Sequence, residues 1–257
     1  MLKGKKIVLG VTGGIAVYKA VDLVSKLRKQ GAEVRVVMTD HAQQFVTPLT
    51  FKEISGNKVA VSMWNANQEF NVEHIALADW ADLFMVVPAT ANIIAKMAYG
   101  IADDLLSTTL LAAHSPVIVC PAMNTHMYEN PATQENIAKI KSRGIVVMPP
   151  ASGVLACGAV GAGRLPEPAD IVNFVKDFFA KTEGDMRGLK VLVTAAGTRE
   201  PIDPVRYVGN RSSGKMGYSI AQAAAERGAE VILVTGPSAL TPPPNIKVVN
   251  VETTQQM

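Results

Sequence analysis

The sequence is poor in cysteine, in aromatic residues and in charge. Of its 257 residues only two are cysteines, 5% are aromatic and 18% are charged. Two cysteines cannot form a framework of disulfide bonds, which argues against a small secreted scaffold and favours a reducing compartment such as the cytoplasm. The formal net charge of +3 gives no reason to expect a nucleic-acid partner, although it would not repel phosphorylated ligands.

Long hydrophobic runs are also lacking. The apolar stretch after the basic start MLKGKK is too short for a signal peptide. The uncharged stretch from Leu105 to Tyr128 is interrupted by Pro116, Pro121 and several hydroxyl groups, which favours packed elements over a membrane span. Because 48% of the residues are hydrophobic, a substantial core can still be buried. We therefore expect a soluble, cytoplasmic protein with no membrane partner.

Short β-branched runs alternate with stretches that carry apolar residues at helical spacing. The runs before residue 150 are Lys5–Val11, Glu33–Met38, Leu83–Val87, Pro116–Cys120 and Ile145–Met148. Apolar strands separated by helices are typical of a parallel sheet covered on both faces. The pattern predicts an α/β fold with a doubly wound parallel sheet, flavodoxin- or Rossmann-like, including a first helix over Ile15–Gln30. The glycine-rich segment 151–168 predicts a long loop or flap, and a helix is expected at about Ala169–Ala180.

The alternating pattern restarts after the polar segment Lys181–Gly188, which has the composition of a linker. We expect a first domain over 1–189 and the start of a second α/β domain over 190–257. Strands are predicted at Lys190–Gly197, Glu230–Gly236 and Ile246–Val251, with a helix at Lys215–Arg227 and another opening at the last residues. Three strands do not readily close such a sheet, so we expect the chain to be part of a longer protein.

The turn after the first strand, GVTGGIAVYK, is rich in glycine. Glycines between a strand and a helix let backbone N–H groups approach a phosphate at the helix N-terminus. The same glycines would also suit a tight turn with no ligand. The spacing is not the G-x-G-x-x-G of dinucleotide folds, so Asp40 after the second strand is a weak candidate for a ribose-binding acid.

Three further segments carry candidate polar groups. Two of them follow strand ends, where α/β folds bind ligands: PATANIIAKMAYGIADDLLSTT after the third predicted strand and PAMNTHMY after the fourth. The other, HIALADWADL, puts His74 before the third predicted strand. Each also has a purely structural interpretation: His74 as a surface histidine, Asn124 as a helix cap, Met123 and Met127 as core residues.

A P-loop is one alternative for the second half. GNRSSGK, from Gly209 to Lys215, has the G-x-x-x-x-G-K spacing. Met216, however, stands where a P-loop needs a magnesium-binding Ser or Thr, and the segment does not directly follow a predicted strand. We therefore reject this alternative.

Together the four motifs of the first half resemble the homo-oligomeric flavin-containing cysteine decarboxylases, and the PxMNxxM pattern is especially specific. The flap ACGAVGAGR resembles the substrate clamp of the phosphopantothenoylcysteine branch of that family. The segment from Thr194 to Gly217 resembles the start of the phosphopantothenate–cysteine ligase that bifunctional coenzyme A biosynthesis proteins carry as a fused domain. Two departures stand out: the ligase turn usually has a glycine pair where Ala196 and Gly197 stand, and Gly209 replaces a common hydroxyl residue.

The resemblance implies FMN-dependent decarboxylation of 4′-phosphopantothenoylcysteine to 4′-phosphopantetheine. Oxidation of the substrate thiol to a thioaldehyde supplies an electron sink beside the departing carboxylate. A flavin can accept the hydride removed in this oxidation and later return it. By resemblance, His74 is the acid–base residue near the thiol, Asn124 holds the carboxylate, and Cys157 donates the proton in the reductive step. The implied substrate contacts are Met123, Ala156 and Arg164, with Arg164 facing the phosphate. Cys120 is expected to be an inert core residue.

The resemblance also implies the cofactor site and the assembly. The implied FMN-binding residues are Thr12, Gly13, Gly14, Thr39, Ala89, Thr90 and Ser107, and no resident metal is expected in the first domain. Family members assemble as trimers with the flavin at the subunit interface, and the ligase half adds a dimer contact, which implies a homo-oligomer, a dodecamer for the full-length protein.

For the second domain the resemblance implies CTP-dependent, Mg²⁺-requiring ligation of cysteine to 4′-phosphopantothenate, with Asn210 in the acyl-cytidylate site. We expect no ligation by these residues alone, because Lys215 supplies too few cationic groups for a triphosphate.

Three other functions remain open. Relatives of the decarboxylase act as non-catalytic regulatory subunits, although His74, Asn124 and Cys157 together argue against that role here. A flavin prenyltransferase of the same fold should lack the PxMNxxM pattern and the cysteine flap. A NAD-dependent dehydrogenase is disfavoured by the broken dinucleotide fingerprint.

Overall fold

The computed structural model describes residues 2–64, 73–154, 160–244 and 246–257. Within this part the chain forms two compact units, Leu2–Asn173 and Phe174–Met257. No helix of the described residues is long and apolar enough to cross a bilayer.

In its described residues before position 150, the first unit forms six parallel strands and eight helices. The strands are β1 (Lys6–Val11), β2 (Glu33–Met38), β3 (Val59–Ala60), β4 (Leu83–Ala89), β5 (Val117–Pro121) and β6 (Val146–Val147). The helices are α1 (Val17–Lys29), α2 (Asp40–Gln43), α3 (Pro48–Ser55), α4 (Glu73–Trp80), α5 (Ala91–Tyr99), α6 (Leu105–Ala112), α7 (Thr125–Glu129) and α8 (Pro131–Ser142).

The strands are ordered β3-β2-β1-β4-β5-β6. The sheet therefore grows in one direction from β1 to β3 and in the other from β4 to β6, and the order reverses between β1 and β4. All residues of β4 are buried, which is why its sequence is apolar without alternation. The doubly wound parallel sheet predicted from the sequence is confirmed, with β3 as an additional strand.

Helix α1 begins at Val17, two residues later than the sequence pattern predicts. Its buried residues Val17, Ala20, Leu23, Val24 and Leu27 form one face, as the apolar spacing requires. The later start leaves residues 12–16 as a turn between β1 and α1.

The prediction of a loop over 151–168 was wrong. The segment contains an antiparallel hairpin of β7 (Ala151–Val154) and β8 (Val160–Arg164), followed directly by α9 (Pro168–Glu183). The two strands contain three glycines, which are depleted in strands, so the composition suggested a loop. Helix α9 also continues into the segment predicted as a linker.

The second unit has a three-stranded parallel sheet in the order β13-β12-β9. Its elements are β9 (Lys190–Ala195), the hairpin strands β10 (Arg199–Pro201) and β11 (Tyr207–Gly209), α10 (Lys215–Glu226), β12 (Glu230–Thr235) and β13 (Lys247–Asn250). Buried residues of β9, β12 and α10 form one core cluster. Lys215 begins α10 as predicted.

The last residues, predicted to open a helix, form a turn in which Gln256 N and Met257 N both donate to the Thr253 carbonyl at 3.2 Å, as in the first turn of a helix. The Gln256 side chain accepts hydrogen bonds from Glu252 N and Thr253 N, while Glu200 Oε1 accepts one from Thr254 N at 2.8 Å. These side chains bond the amide groups that the first turn of a helix leaves without a backbone partner, and Glu200 ties the segment to β10.

Ala196, in the turn after β9, is the one described non-glycine residue with a positive φ, 65°. The left-handed conformation costs an L-residue roughly 1–2 kcal/mol, and this is one of the two positions where the ligase family usually has glycine. Glycine would relieve this conformational cost, but its extra entropy in the unfolded chain offsets about half of the gain. We expect Ala196→Gly to stabilise the second unit by about 1 kcal/mol.

Hydrogen exchange of the β9 and α10 amides measures that stability. The matched control is Ala223→Gly in the exposed interior of α10, which should destabilise the unit by about 1 kcal/mol. If both substitutions destabilise, the Ala196 backbone is not strained.

Candidate functional site

A pocket of about 620 Å³ lies at the carboxyl ends of the parallel strands, where the strand order reverses. Ligands of doubly wound folds bind at this point because the loops leaving neighbouring strands diverge there. The lining residues are Gly13, Gly14, Ile15, Ala16, Tyr18, Lys19, Pro88, Thr90, Ala91, Ala122, Met123, Asn124, Met127, Gly163, Arg164 and Leu165. Loops after β1, β4 and β5 and the end of the hairpin therefore contribute to one pocket.

Thr12 joins the loops that follow β1 and β4. Its buried hydroxyl donates a hydrogen bond to the Pro88 carbonyl at 2.7 Å and accepts one from Thr90 N at 3.1 Å. A hydroxyl is suited to this position because it can donate and accept at the same time. Thr12 does not line the pocket itself; it fixes the two loops that do.

The two glycines of the first turn have different roles. A Cβ on Gly13 would lie 2.5 Å from His41 Cβ, so the turn packs against the start of α2. A Cβ on Gly14 would meet no described protein atom within 4 Å, and Gly14 faces the pocket. The backbone N–H groups that precede α1 have no acceptor within the helix. Gly13 thus serves packing, and Gly14 leaves space for a ligand to approach these amides.

Met123 and Asn124 follow β5 and line the pocket. Ala122 N donates to the Ala89 carbonyl at 3.0 Å, which holds this loop beside the end of β4. The Asn124 side-chain oxygen accepts from His126 N at 2.9 Å and caps α7. The helix-cap interpretation and the pocket interpretation of Asn124 therefore both apply.

The hairpin packs on the β5 loop through its glycines. Met123 N donates to the Gly163 carbonyl at 3.0 Å, and a Cβ on Gly163 would overlap the Met123 carbonyl oxygen. Gly163 also has a φ of 127°, which disfavours any residue with a side chain. Cys157 and Ala156 lie between the two hairpin strands, outside the described residues.

Two cations line one end of the pocket and share a carboxylate. Lys19 Nζ donates to Glu167 Oε1 at 2.9 Å and to the Leu165 carbonyl at 3.0 Å, and Arg164 donates to the same Glu167 oxygen at 2.7 Å. The hydrogen bond from Lys19 lowers the pKa of Glu167, and Arg164 adds to this effect. Sequence reasoning missed Lys19 and Glu167. The available signal was a lysine among the apolar positions of α1.

The remaining candidate residues lie elsewhere. The Thr39 hydroxyl caps α2 by accepting from Ala42 N at 3.3 Å, and Ala89 is buried at the end of β4. His74 lies on α4 and does not line this pocket among the described residues. Their assigned roles stay predictions.

Ser107 belongs to a different part of the unit. It forms a capping box with Asp104 at the start of α6 and lines a separate cavity of about 160 Å³ with Lys96 and Arg143. Its predicted place near FMN is not supported by any contact with the larger pocket, and it too stays a prediction.

Asn210 lies in the second unit, where its Oδ1 accepts from Ser212 N at 2.9 Å. A Cβ on Gly197 would overlap the same oxygen, so this glycine of the turn is required by the close approach of Asn210. The GNRSSGK segment follows the antiparallel strand β11 and no parallel strand, which is not the context of a P-loop.

Cys120 is fully buried, and burial raises the pKa of its thiol to about 12. The expectation of an inert core cysteine agrees with this environment. No cluster of three or more His, Cys, Asp or Glu side chains suited to a metal ion occurs among the described residues.

The fold and the pocket define a doubly wound α/β protein with a pocket at the switch point of a parallel sheet and a glycine turn at a helix N-terminus. Residues 1–180 match the flavoprotein family model, and residues 186–257 match the model of the DNA/pantothenate metabolism flavoprotein C-terminal domain. The chain belongs to the flavoprotein family, with the second family's domain fused behind it.

Known relatives agree with this assignment. The coenzyme A biosynthesis bifunctional protein CoaBC of Haemophilus influenzae is 50% identical over 256 residues, which are 100% of this chain and 64% of that protein. The chain thus spans about 64% of the length of that curated relative. A PPC decarboxylase solved as a cysteine-to-serine variant with pantothenoylaminoethenethiol is 32% identical, with a TM-score of 0.61 over 69% of this chain and 99% of its own. The FMN-dependent cysteine decarboxylase SpaF is 30% identical, with a TM-score of 0.59 over 68% of this chain and 96% of its own.

Proposed function

We propose that the first unit is an FMN-dependent decarboxylase of 4′-phosphopantothenoylcysteine that acts in coenzyme A biosynthesis. The observation that carries the proposal is the convergence of the glycine turn, Thr90, the Met123–Asn124 loop and Arg164 on one pocket. The names of the relatives at 50% and 32% identity support the same chemistry.

The pocket suits FMN in size and in chemistry. Its volume of about 620 Å³ lies within the range of roughly 300–1,000 Å³ of small-molecule sites. The open space at Gly14 and the amides that precede α1 suit a phosphate, while Ile15, Tyr18 and Met127 offer apolar surface for a planar ring system. When bound, FMN supplies a two-electron acceptor and donor.

The residues of the chain then orient the substrate and move protons. Asn124, held by its cap on α7, is placed to bind the carboxylate that leaves as CO₂. A neutral amide suits this task because an ion pair would stabilise the charged ground state. Arg164 at the base of the hairpin is suited to the phosphate, since guanidinium groups bind phosphate oxygens with two hydrogen bonds.

The proposed role of His74 as the acid–base residue involves a second copy of the chain. His74 begins α4, and because α4 leads into β4 it starts on the side of the sheet where the strands end. It does not line the pocket of its own chain in the described part. We infer that it acts on the pocket of a second copy, in the trimer-based homo-oligomer that the family resemblance implies.

For the second unit we propose part of a CTP- and Mg²⁺-dependent phosphopantothenate–cysteine ligase, with Asn210 in the acyl-cytidylate site. The match of residues 186–257 to the C-terminal flavoprotein domain supports this role. The ligase substrates, 4′-phosphopantothenate, cysteine and CTP, belong to the proposal for the whole protein.

Turnover tests the main proposal. The purified protein loaded with FMN should release CO₂ from 4′-phosphopantothenoylcysteine and form 4′-phosphopantetheine, as followed by mass spectrometry. An FMN-bound chain without turnover would favour a regulatory subunit, and a bound nicotinamide would favour a dehydrogenase.

The neighbouring glycines of the first turn test cofactor binding. We expect Gly14→Ala to leave the stability of the FMN-free protein nearly unchanged but to weaken FMN binding at least about tenfold, because the methyl group occupies the ligand's approach. Gly13→Ala should destabilise the protein by about 1–3 kcal/mol even without ligand, because its Cβ overlaps His41. Denaturant unfolding and FMN fluorescence titration measure the two effects. Unaltered FMN affinity in Gly14→Ala would place the cofactor elsewhere.

A further inference from the structure

The carboxylate of Glu167 has no role in the proposed reaction. Glu167 does not line the pocket. One of its carboxylate oxygens nevertheless accepts hydrogen bonds from two side chains that do line it, Lys19 at 2.9 Å and Arg164 at 2.7 Å. These two cations come from different elements, α1 and the end of β8. Glu167 therefore links α1 to the hairpin across 148 positions of sequence.

The backbone of Glu167 is itself held in place. Its carbonyl accepts hydrogen bonds from Asp170 N at 2.9 Å and Ile171 N at 3.1 Å, which are the first bonds of α9. Pro168 follows at the first helical position, where proline favours helix initiation. The negative side chain also lies at the positive end of the helix dipole. The carboxylate is thus presented from a helix end and not from a loose loop.

Lys19 is the buried partner of this arrangement. Its side chain is only 7% exposed, whereas Glu167 is 54% exposed and Arg164 is 44% exposed. A buried ammonium group must be paired, and the Leu165 carbonyl together with Glu167 satisfies two of its three donors. Both acceptors lie in the short segment between β8 and α9. The chain that leaves the hairpin is therefore attached to the first turns of α1.

We propose that Glu167 is a positioning residue: with Lys19 it latches the base of the hairpin to α1, and it thereby fixes Arg164 at the end of the pocket. The latch has two consequences. The hairpin glycines remain packed on the Met123 loop, and the Arg164 guanidinium, otherwise free to extend into solvent, stays directed along the pocket wall. The lowered pKa of Glu167 keeps the carboxylate charged at neutral pH.

Hydrogen exchange tests the latch without depending on activity. In Glu167→Gln the amide keeps the shape of the side chain but loses the charge, so one shared oxygen no longer holds both cations. We expect the amide of Met123, which bonds Gly163, and the described hairpin amides to exchange about fivefold faster in the FMN-loaded protein. Asp185→Asn is the control. It breaks the exposed pair with Arg227 at 2.5 Å in the second unit, and it should leave hairpin exchange unchanged.

Steady-state kinetics tests the consequence for Arg164, which rests on the proposed decarboxylase. Glu167→Gln should raise KM for 4′-phosphopantothenoylcysteine about tenfold and change kcat less than about twofold, because the reacting carbon lies away from the cationic end. Glu167→Asp, one methylene shorter, should not restore KM.

The outcomes separate the two proposals. Unchanged hairpin exchange in Glu167→Gln overturns the latch, whatever happens to KM. Faster exchange with unchanged KM overturns the positioning of Arg164. If the unmodified chain binds FMN but does not turn over, the proposed function fails, while the exchange result still decides whether the latch exists.

Discussion

Replacing Asn124 by alanine is expected to lower kcat/KM for decarboxylation at least about a hundredfold, the scale seen when an enzyme loses a positioned hydrogen-bond donor in its active site. FMN should remain bound, because the glycine turn and Thr90 are untouched. The substitution also removes the cap of α7, which costs about 1 kcal/mol of stability. The loss of activity must therefore be separated from the loss of the cap.

Asn130 offers a matched control for that separation. Its Oδ1 caps α8 by accepting from Ala132 N at 3.0 Å, in the same geometry as Asn124 on α7, and Asn130 does not line the pocket. Asn130→Ala should cost a similar amount of stability and leave kcat/KM within about twofold. Equal losses of activity in the two variants would show that Asn124 is only a helix cap.

Replacing Cys157 by serine is expected to stop the enzyme within its first cycle, after decarboxylation and before the reductive step. If Cys157 supplies the proton for the reductive step, the variant should still oxidise and decarboxylate the substrate but should not complete the reaction, since a serine hydroxyl is a far poorer acid than a thiol. One CO₂ should be released per site, the flavin absorbance should fall once, and an enethiol product should stay bound. The PPC decarboxylase solved as a cysteine-to-serine variant with pantothenoylaminoethenethiol is consistent with this expectation.

Stopped-flow absorbance combined with mass analysis of the bound product measures this result. His74→Asn should fail earlier, before any fall in flavin absorbance, because the substrate thiol is not activated. Cys120→Ala serves as the thiol control and should turn over repeatedly, since Cys120 is fully buried. Repeated turnover by Cys157→Ser would assign the proton to another group.

The sequence predicts those features that depend on short stretches of chain. The parallel sheet follows from apolar runs such as Leu83–Val87, and the pocket's glycine turn and Asn124 follow from local motifs next to strand ends. Those motifs converge because the carboxyl ends of parallel strands meet at one edge. Local pattern and topology were therefore sufficient for this part of the site.

Other features depend on partners that are distant in sequence. Lys19 and Glu167 are 148 positions apart. The place of Lys19 among the apolar positions of α1 indicates burial, but no local pattern identifies its partner. The hairpin was missed because its strands are short and their glycines serve contacts with Met123 and Thr125, which become visible only in three dimensions. Strand β3 is two residues long, too short for an alternation to be recognised. The proposed role of His74 involves a second copy of the chain, which no pattern within one sequence can place.

The hydroxyl of Thr12 has a consequence for chimeras made between relatives of this family. Because this hydroxyl bonds both the Pro88 carbonyl and Thr90 N, the segments that contain Thr12 and Thr90 should be exchanged together in a chimera. A graft that exchanges only one segment, and brings an apolar side chain to position 12, leaves a donor and an acceptor unpaired in the floor of the pocket. Grafts that exchange both segments together keep the bridge, so recombination libraries should place their crossovers outside this pair.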